Sequence, residues 1–315
     1  MQIFIILTLA ILLFCAIILL VFGAIFFKMV CFSGSKSVKK LIREGGASSL
    51  APYADEIQKG VSKIAEIEKE EITIKSFDNL NLHALFLKGE NSERTIICVH
   101  GYHSEAARDF SLAVEPLLKK ANLLMIDQRS HGKSEGKFIT FGVHESKDCK
   151  AWADWLSKKM GPEHPIYFDG VSMGGTTVLL ASSLDLPSNV RGIIADCSFT
   201  SPYDIIENLS QKVFKRTPKL LISCIDLYCK IFAKFSLKET STLSAMKKNT
   251  RPILFAHGKS DNLVPYKMTQ AAYDAFDGKK FLILADGADH GLSFLYENQK
   301  YSDAINDLFE YCEKR

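Results

Sequence analysis

One short stretch near the middle of the chain constrains the fold more than any other. A strand-like apolar run ends at Phe168, a helix-like run begins at Thr176, and between them Gly170, Ser172 and Gly174 form the motif G-x-S-x-G. In the context of strand, tight turn and helix, this motif predicts a nucleophile elbow, a strained turn that presents a serine hydroxyl above the strand ends. Glycines are needed there because side chains would collide with the turn or with the helix. On its own the motif is weak evidence for such an elbow, since an ordinary tight turn between a strand and a helix can have the same pattern.

Strand-like and helix-like segments alternate along the rest of the chain. The first two predicted strands alternate polar and apolar residues, as in an antiparallel pair, whereas the later ones are continuously apolar and suit strands covered on both faces. This order predicts an α/β protein with a mostly parallel, eight-stranded sheet and helices on both faces. Residues from about 197 to 248 carry only helical signals and predict a lid inserted after the sixth strand. The predicted strands are 71–77, 80–87, 95–99, 122–126, 166–168, 190–195, 252–256 and 281–284. Between the third and fourth of them, residues 105–119 predict a single helix.

The amino terminus carries an uncharged run of 25 residues, 3–27. As a helix it would be ~37 Å long, enough to cross a hydrocarbon layer of about 30 Å. The run lacks the basic start and the shorter apolar core of a cleaved signal peptide, so a transmembrane anchor is favoured. We therefore predict three parts: an anchor in residues 1–32, a linker with helical character in 33–70, and the main domain in 71–315.

The charges that flank this run predict its orientation. All nearby basic side chains follow the run, so the positive-inside rule favours a cytoplasmic location for the main domain. The eight cysteines form no C-x-x-C pair, which indicates free thiols and agrees with a reducing compartment. The basic residues are Lys28, Lys36, Lys39, Lys40 and Arg43.

Composition excludes several classes of partner and cofactor. The net charge of +3 is too small to indicate nucleic-acid binding, and no polybasic or zinc-like signature is present. No cysteines and histidines have metal-ligand spacing, and no glycine-rich phosphate loop occurs. We therefore expect no metal, no other cofactor and no nucleic-acid partner.

Reactive side chains follow several of the predicted strands. In an open parallel sheet, ligands bind at the carboxyl ends of the strands, so these residues should share one edge. Ser172, Asp261 and His290 occur there in the order nucleophile, acid, base, which predicts a serine activated by an imidazole that a carboxylate orients. Asp196 also follows a strand, the sixth, and remains an alternative acid. Asp289 adjoins His290 in the sequence, and we expect it to face solvent, since neighbours in a loop seldom share a direction.

Five motifs together resemble those of the α/β hydrolases, over residues from Glu71 to the end of the chain. The chain is similar in particular to the membrane-anchored branch of these serine hydrolases, which has an N-terminal hydrophobic segment and a helical lid. The motifs are His100-Gly101, Asp127-x-Arg129-x-His131-Gly132-x-Ser134, Gly170-Val171-Ser172-Met173-Gly174-Gly175, Gly258-x-x-Asp261-x-x-Val264-Pro265 and His290-Gly291.

The resemblance implies a role for each matching residue. It implies that Ser172 is the nucleophile, Asp261 the acid and His290 the base. The backbone N–H groups of Tyr102 and Met173 would form the oxyanion hole. Around them we expect structural support from His100, Gly101, Gly170 and Gly174, and a loop after the fourth strand braced by Arg129 and His131.

The function that this implies is hydrolysis of a hydrophobic ester or thioester through an acyl-enzyme on Ser172. The expected partners are a small-molecule or lipid-like ester and, through the N-terminal helix, a membrane. A serine peptidase or amidase with the same three residues remains an alternative, as does a non-catalytic binding protein on the same fold. For the lid, either an apolar face that meets lipid or an ordinary amphipathic helix packed on the core fits the pattern.

Overall fold

The computed structural model describes residues 1–32 and 50–314. Its eight strands form one sheet in the order β1-β2-β4-β3-β5-β6-β7-β8. Strand β2 pairs antiparallel with both β1 and β4, and all the remaining pairs are parallel. This confirms the predicted mostly parallel, eight-stranded sheet. The strands are β1 (Lys69–Lys75), β2 (Asn81–Leu87), β3 (Thr95–Val99), β4 (Asn122–Ile126), β5 (Ile166–Val171), β6 (Val190–Asp196), β7 (Ile253–Gly258) and β8 (Lys280–Ala285).

Helices precede, connect and follow these strands. Two short segments are not α-helical: Ala51–Tyr53 forms a 3₁₀ turn and Cys229–Ala233 forms a π-helix. The part of the predicted linker from 33 to 49 lies outside the described residues. The α-helices are α1 (Gln2–Cys31), α2 (Ala54–Glu66), α3 (Ala106–Asp109), α4 (Val114–Leu118), α5 (Val143–Met160), α6 (Met173–Ala181), α7 (Pro202–Phe214), α8 (Lys219–Tyr228), α9 (Thr242–Met246), α10 (Tyr266–Asp274), α11 (Ser293–Tyr296) and α12 (Asn298–Glu313).

The two faces of the sheet bury separate apolar cores. Strand β3 illustrates this, because its side chains alternate between the faces: Ile97 and Val99 belong to one cluster, Ile96 and Cys98 to the other. Helices α5, α6 and α10 cover the first face, and α2, α3, α4 and α12 cover the second. Cover on both faces explains why these strands are continuously apolar.

The helix expected between the third and fourth strands is in fact two short helices. Helix α3 ends at Asp109, and α4 begins only at Val114. Pro116 lies in the first turn of α4, where its missing N–H costs nothing, but a longer helix would place its ring against the carbonyl of Leu112. The single-helix prediction was therefore wrong because it neglected this proline.

The segment between β6 and β7 contains α7, α8, the π-helix and α9 and corresponds to the predicted lid. Helix α8 buries Leu221, Ile222 and Ile225 against the body of the protein. Helix α1 is long and apolar enough to cross a membrane. Its carboxyl-terminal end packs in the same apolar cluster as α8, where Phe27 and Cys31 are buried. The N-terminal helix is therefore in contact with the lid.

The loop after β4 is held by a buried ion pair. The Nε and Nη2 atoms of Arg129 donate to the two carboxylate oxygens of Asp148 on α5, at 2.6 and 2.8 Å. Both terminal nitrogens of the same guanidinium donate to Asp78 at 3.0 Å. His131 adds a bond from its ring Nδ1 to the Arg129 carbonyl at 3.0 Å. These contacts agree with the expected bracing role of Arg129 and His131.

Asp148→Ala is expected to lower the free energy of unfolding by about 3–5 kcal/mol, because it leaves a buried guanidinium without its main counter-charge. Asp154→Ala provides a matched control on the same helix, since Asp154 pairs with Lys150 at the surface. That control should cost less than about 1 kcal/mol. Urea denaturation of the detergent-solubilised protein, followed by the fluorescence of Trp152 and Trp155, measures both. Equal losses in the two variants would contradict the structural role of the Arg129–Asp148 pair.

Candidate active site

Ser172 lies in a strained turn between β5 and α6. Its φ and ψ are 58° and −118°, outside the regions that most residues adopt. The backbone N–H of Ser172 donates to the Asp196 carbonyl at 2.8 Å, which holds the turn against β6. A side chain at Gly170 would overlap the carbonyl of Gly174, and one at Gly174 would overlap the carbonyl of Val99. The glycines are thus required by close backbone packing, as the elbow motif predicts.

The structure brings together the three side chains that follow β5, β7 and β8. The Nε2 atom of His290 lies 2.8 Å from Oγ of Ser172. On the other side of the ring, Nδ1 lies 2.7 Å from Oδ2 of Asp261. Because the carboxylate accepts the Nδ1 proton, Nε2 is left to accept the proton of the serine hydroxyl.

Asp261 is a buried carboxylate with four hydrogen-bond donors. Its Oδ2 faces Nδ1 of His290 and, at 3.0 Å, Nε2 of His257. Its Oδ1 accepts from the backbone N–H groups of Leu263 and Val264, both at 2.8 Å. Burial opposes ionisation, but the two imidazoles outweigh it and lower the pKa of Asp261 below its usual value. The carboxylate therefore stays charged although its side chain is 0% exposed.

Opposing effects set the pKa of the His290 imidazole. Burial lowers it, whereas neighbouring Cys197 and the Asp261 carboxylate raise it, and the net pKa lies well above the usual value. The side chain retains 15% exposure. The imidazolium that forms when the ring accepts a proton is therefore stabilised in place.

The alternative acid, Asp196, faces a different partner. Its Oδ1 accepts from the hydroxyl of Ser293 at 2.7 Å, and burial raises the pKa of its carboxyl group. The geometry thus pairs His290 with Asp261. Asp289, which we expected to face solvent, is half-buried, and its Oδ1 accepts from the backbone N–H groups of Asn262 and His290. That expectation was wrong, because this carboxylate links the two loops that carry Asp261 and His290.

His100 fixes the loop after β3. Its Nε2 accepts from the backbone N–H of Gln128 at 3.1 Å, so its Nδ1 carries the proton and donates to the Gly101 carbonyl at 2.7 Å. Burial lowers the pKa of His100, which keeps the ring neutral. A side-chain carbon at Gly101 would lie only 3.3 Å from Cβ of Ser172, so the loop runs directly beside the serine.

The loop after β3 and the first turn of α6 supply the two predicted oxyanion donors. Within residues 1–32 and 50–314, neither the N–H of Tyr102 nor that of Met173 donates to a protein acceptor. Tyr102 follows Gly101, which packs against Ser172, and Met173 follows Ser172 itself. Two such N–H groups near a nucleophile are suited to bind a developing oxyanion.

Two residues that position the site were not predicted from the sequence, Asp109 and His257. Asp109 is half-buried and accepts from the Gly101 N–H at 2.7 Å and from the Ser104 hydroxyl. His257 is buried, and its Nε2 faces two acceptors, Asp261 Oδ2 and the Val264 carbonyl, so this nitrogen carries a proton. His257 directly follows the apolar part of β7, which was an available signal, whereas nothing in the sequence links Asp109 to the loop eight residues earlier.

Cys197 lies next to the imidazole on the side of Ser172. Its sulfur is 3.9 Å from Nε2 of His290, and one ligand atom each from Cys197, Asp261 and His290 lie within 4.8 Å of one another. Such a set could hold a metal ion only with an ionised thiol. Burial raises the pKa of Cys197 to about 11, so the donor set fits a cation poorly.

Known proteins resemble the chain in sequence and in fold. The model of the family described as serine aminopeptidase, S33, matches residues 90–224. The YqkD protein of Bacillus subtilis (strain 168) is 23% identical over 288 residues, which cover 91% of this chain and 92% of that protein. The lysophosphatidylserine lipase ABHD12 of Danio rerio is 20% identical over 231 residues, covering 70% of this chain and 59% of its own length. The Pyrococcus furiosus esterase Pf2001 has a TM-score of 0.62 at 23% identity and covers 79% of this chain and 95% of its own.

The likeness to the solved structure concerns the fold. It extends over most of the chain, and the mostly parallel eight-stranded sheet, the helices on both faces and the insertion after β6 all match the predicted architecture. The expected resemblance is confirmed by the family model and by the structural neighbours. The chain therefore has the α/β-hydrolase fold.

Proposed function

We propose that this chain is a serine hydrolase that cleaves a hydrophobic ester or thioester through an acyl-enzyme on Ser172. One observation carries the proposal: Ser172, His290 and Asp261 are joined by hydrogen bonds of 2.8 and 2.7 Å. A serine hydroxyl is a weak nucleophile until an oriented imidazole accepts its proton, and this series of contacts meets that requirement.

In the proposed reaction, Oγ of Ser172 attacks the carbonyl carbon while Nε2 of His290 accepts the hydroxyl proton. Asp261 remains ionised and stabilises the imidazolium. The N–H groups of Tyr102 and Met173 stabilise the oxyanion, and the loss of one such donor typically costs about 3 kcal/mol of transition-state stabilisation. His290 then returns the proton to the leaving alcohol or thiol. Water, deprotonated by the same imidazole, then attacks the acyl-enzyme, and the imidazolium returns that proton to Oγ as the bond between the acyl carbon and Oγ breaks. This step releases the acid and restores the free serine.

Apolar side chains beside the elbow favour a hydrophobic acyl group. Met173 and Phe199 are buried in the same cluster as Phe141 and Tyr102. The rings of Tyr102 and Phe141 stack, with their centroids 5.5 Å apart and their planes at 18°. Surroundings of this kind gain free energy when they bury hydrocarbon, at about 25 cal/mol for each Å².

An aminopeptidase is the second candidate, because the matching family model is described as serine aminopeptidase. Binding of a cationic amino terminus requires an available carboxylate near the nucleophile. The nearby carboxylates of Asp109, Asp196 and Asp261 are all engaged by donors within the protein. We therefore favour esters, and parallel assays with p-nitrophenyl acyl esters and aminoacyl p-nitroanilides distinguish the two candidates.

We also propose that α1 anchors the protein in a membrane as a single span, with the main domain in the cytoplasm. The length and apolar composition of α1 support a span. The basic residues that follow the uncharged run of α1, beginning with Lys28, support the orientation. The eight free cysteines agree with a reducing compartment.

Ser172→Ala is expected to abolish labelling by a fluorophosphonate probe, because the activated hydroxyl is the group that attacks phosphorus. Ser182→Ala is a matched control: this buried hydroxyl donates to the Leu179 carbonyl at 2.7 Å and lies at the far end of α6. Gel fluorescence measures the labelling, and circular dichroism checks folding. Undiminished labelling of folded Ser172→Ala would assign the nucleophile to another residue.

Asp261→Asn is expected to lower kcat by about 10⁴, as when the acid of such a triad is neutralised. Asp196→Asn serves as the comparison, since Asp196 bonds to Ser293 and not to the imidazole. It should keep most of the activity in steady-state ester hydrolysis. If instead Asp196→Asn were inactive and Asp261→Asn fully active, the acid role would belong to Asp196.

The dependence of kcat/KM on pH should show a rising limb centred above the ordinary histidine value of about 6.5. The base must be neutral to accept a proton, and the pKa of His290 is raised, so activity appears only as the pH rises through that higher value. Loss of the carboxylate in Asp261→Asn should move the limb to lower pH. A limb centred below pH 6.5 in the unsubstituted protein would contradict the proposed pairing.

A further inference from the structure

The carboxyl-terminal third of α1 packs tightly against the lid. A side-chain carbon at Gly23 would lie 2.6 Å from Cβ of Cys224, so α1 and α8 approach as closely as a glycine allows. The hydroxyl of Tyr228 donates to the Leu20 carbonyl at 3.2 Å. The rings of Phe27 and Tyr228 lie 6.0 Å apart. Helix α8 is therefore fixed beside the last turns of the uncharged run.

This contact sets the depth of the lid relative to a membrane that α1 spans. Lys28 is the first charged residue of α1, so the uncharged segment ends at Phe27. At 1.5 Å per residue, Gly23 and Leu20 lie ~6 and ~10 Å before that end. The whole run exceeds the hydrocarbon thickness by only ~7 Å, shared between its two ends. Helix α8 consequently lies at the boundary between lipid headgroups and acyl chains.

The lid exposes an apolar surface next to α1. Leu220 is 72% exposed, Val213 71% and Phe232 54%. Phe214 on this surface also touches α1, with its ring 5.9 Å from that of Phe26. The surface is therefore continuous with the exposed apolar side of α1. We call it the lid face, and it consists of Val213, Phe214, Leu220, Leu227, Ile231 and Phe232.

Basic residues are interspersed in the sequence with those of the lid face. Residues 212–234 contain six lysine or arginine side chains and one aspartate, a net charge of +5 in a chain whose total is +3. The aspartate, Asp226, is already paired with Lys230 at 2.7 Å. Lys215 and Arg216 are exposed in the connection between α7 and α8. Exposed apolar side chains interspersed with exposed cations are typical of a helix that lies in a membrane interface with anionic lipids.

We propose that the lid face is inserted into the leaflet in which α1 ends, with anionic headgroups bound by Lys215 and Arg216. The inference rests on the proposed membrane anchoring. Continuity with α1 and the positive charge favour a lipid surface over a second copy of this chain, whose lid face would carry the same charge. The area of contact with lipid thus includes the lid as well as the span.

The same apolar cluster continues from the leaflet to the candidate nucleophile. The Tyr102 hydroxyl donates to the Val30 carbonyl near the end of α1 at 2.7 Å. Tyr102 also belongs to the cluster that contains Met173, the residue after the elbow serine. The substrate class that fits this arrangement is an ester of a membrane lipid, taken up laterally from the leaflet.

The experiment uses single tryptophan substitutions in the full chain, reconstituted in nanodiscs whose lipids carry brominated acyl chains. Quenching is measured relative to the unsubstituted protein, whose Trp152 and Trp155 supply the background. Leu220→Trp and Phe232→Trp should be quenched. Leu12→Trp, in the middle of α1, is the positive control for the span. Phe77→Trp is the matched negative control, because Phe77 is 52% exposed in the turn between β1 and β2.

Each outcome decides between the proposals. Quenching at Leu12→Trp without quenching at either lid position would overturn the inference and leave the anchor in place. No quenching at any position would overturn both. Concentration-dependent dimerisation that shields the lid tryptophans from brominated lipid would assign the lid face to a second copy of the chain.

A second arm tests the lipid charge. Replacing phosphatidylglycerol by phosphatidylcholine in the nanodiscs should reduce the quenching of Leu220→Trp. In a chain that also carries Lys215→Gln and Arg216→Gln, quenching should no longer depend on the lipid. Equal quenching in both lipids with the basic residues intact would refute the proposed headgroup contacts.

Discussion

The site depends on one buried negative charge, the Asp261 carboxylate. Taking a carboxylate out of water is expensive unless its oxygens are hydrogen-bonded, and here two imidazoles and two backbone N–H groups supply those bonds. The charge in turn fixes which nitrogen of His290 carries the proton, and so which one faces Ser172. His257 extends the arrangement to the interior, where its other ring nitrogen lies 2.8 Å from the Thr269 hydroxyl.

Much of this site could be predicted from the sequence, because parallel strands place their carboxyl ends at one edge. The order of Ser172, Asp261 and His290 along the chain is sufficient to predict that they meet there. What the sequence could not reveal are contacts made by packing between distant elements. Asp109 lies eight residues after Gly101, and only the folded structure shows that its carboxylate accepts a hydrogen bond from the Gly101 N–H. The prediction that Asp289 faces solvent was wrong for the same reason, because backbone N–H groups from two loops donate to its carboxylate.

In the fold, too, features set by local sequence could be predicted, whereas features set by contacts between distant elements could not. The strands and the lid position follow from periodic apolar patterns, whereas the break before α4 depends on a single proline. The contact between α1 and α8 could not be predicted, because an apolar helix face is equally consistent with lipid and with protein. The structure resolves this at Gly23, where the missing side chain permits the close approach of Cys224. Helix α1 and the lid, which the sequence predicts as separate parts, thus form a packed junction that reaches the cluster around Tyr102.

The central claim is that an acyl group is carried covalently by the side chain at the elbow. The most direct measurement is tandem mass spectrometry of the unsubstituted protein after acid quenching during turnover of a slowly hydrolysed ester. The account predicts an added mass equal to the acyl group on the peptide that contains Ser172, at the serine itself. An acyl group found on Cys197, whose sulfur also adjoins the imidazole, or no covalent adduct during active turnover, would contradict it.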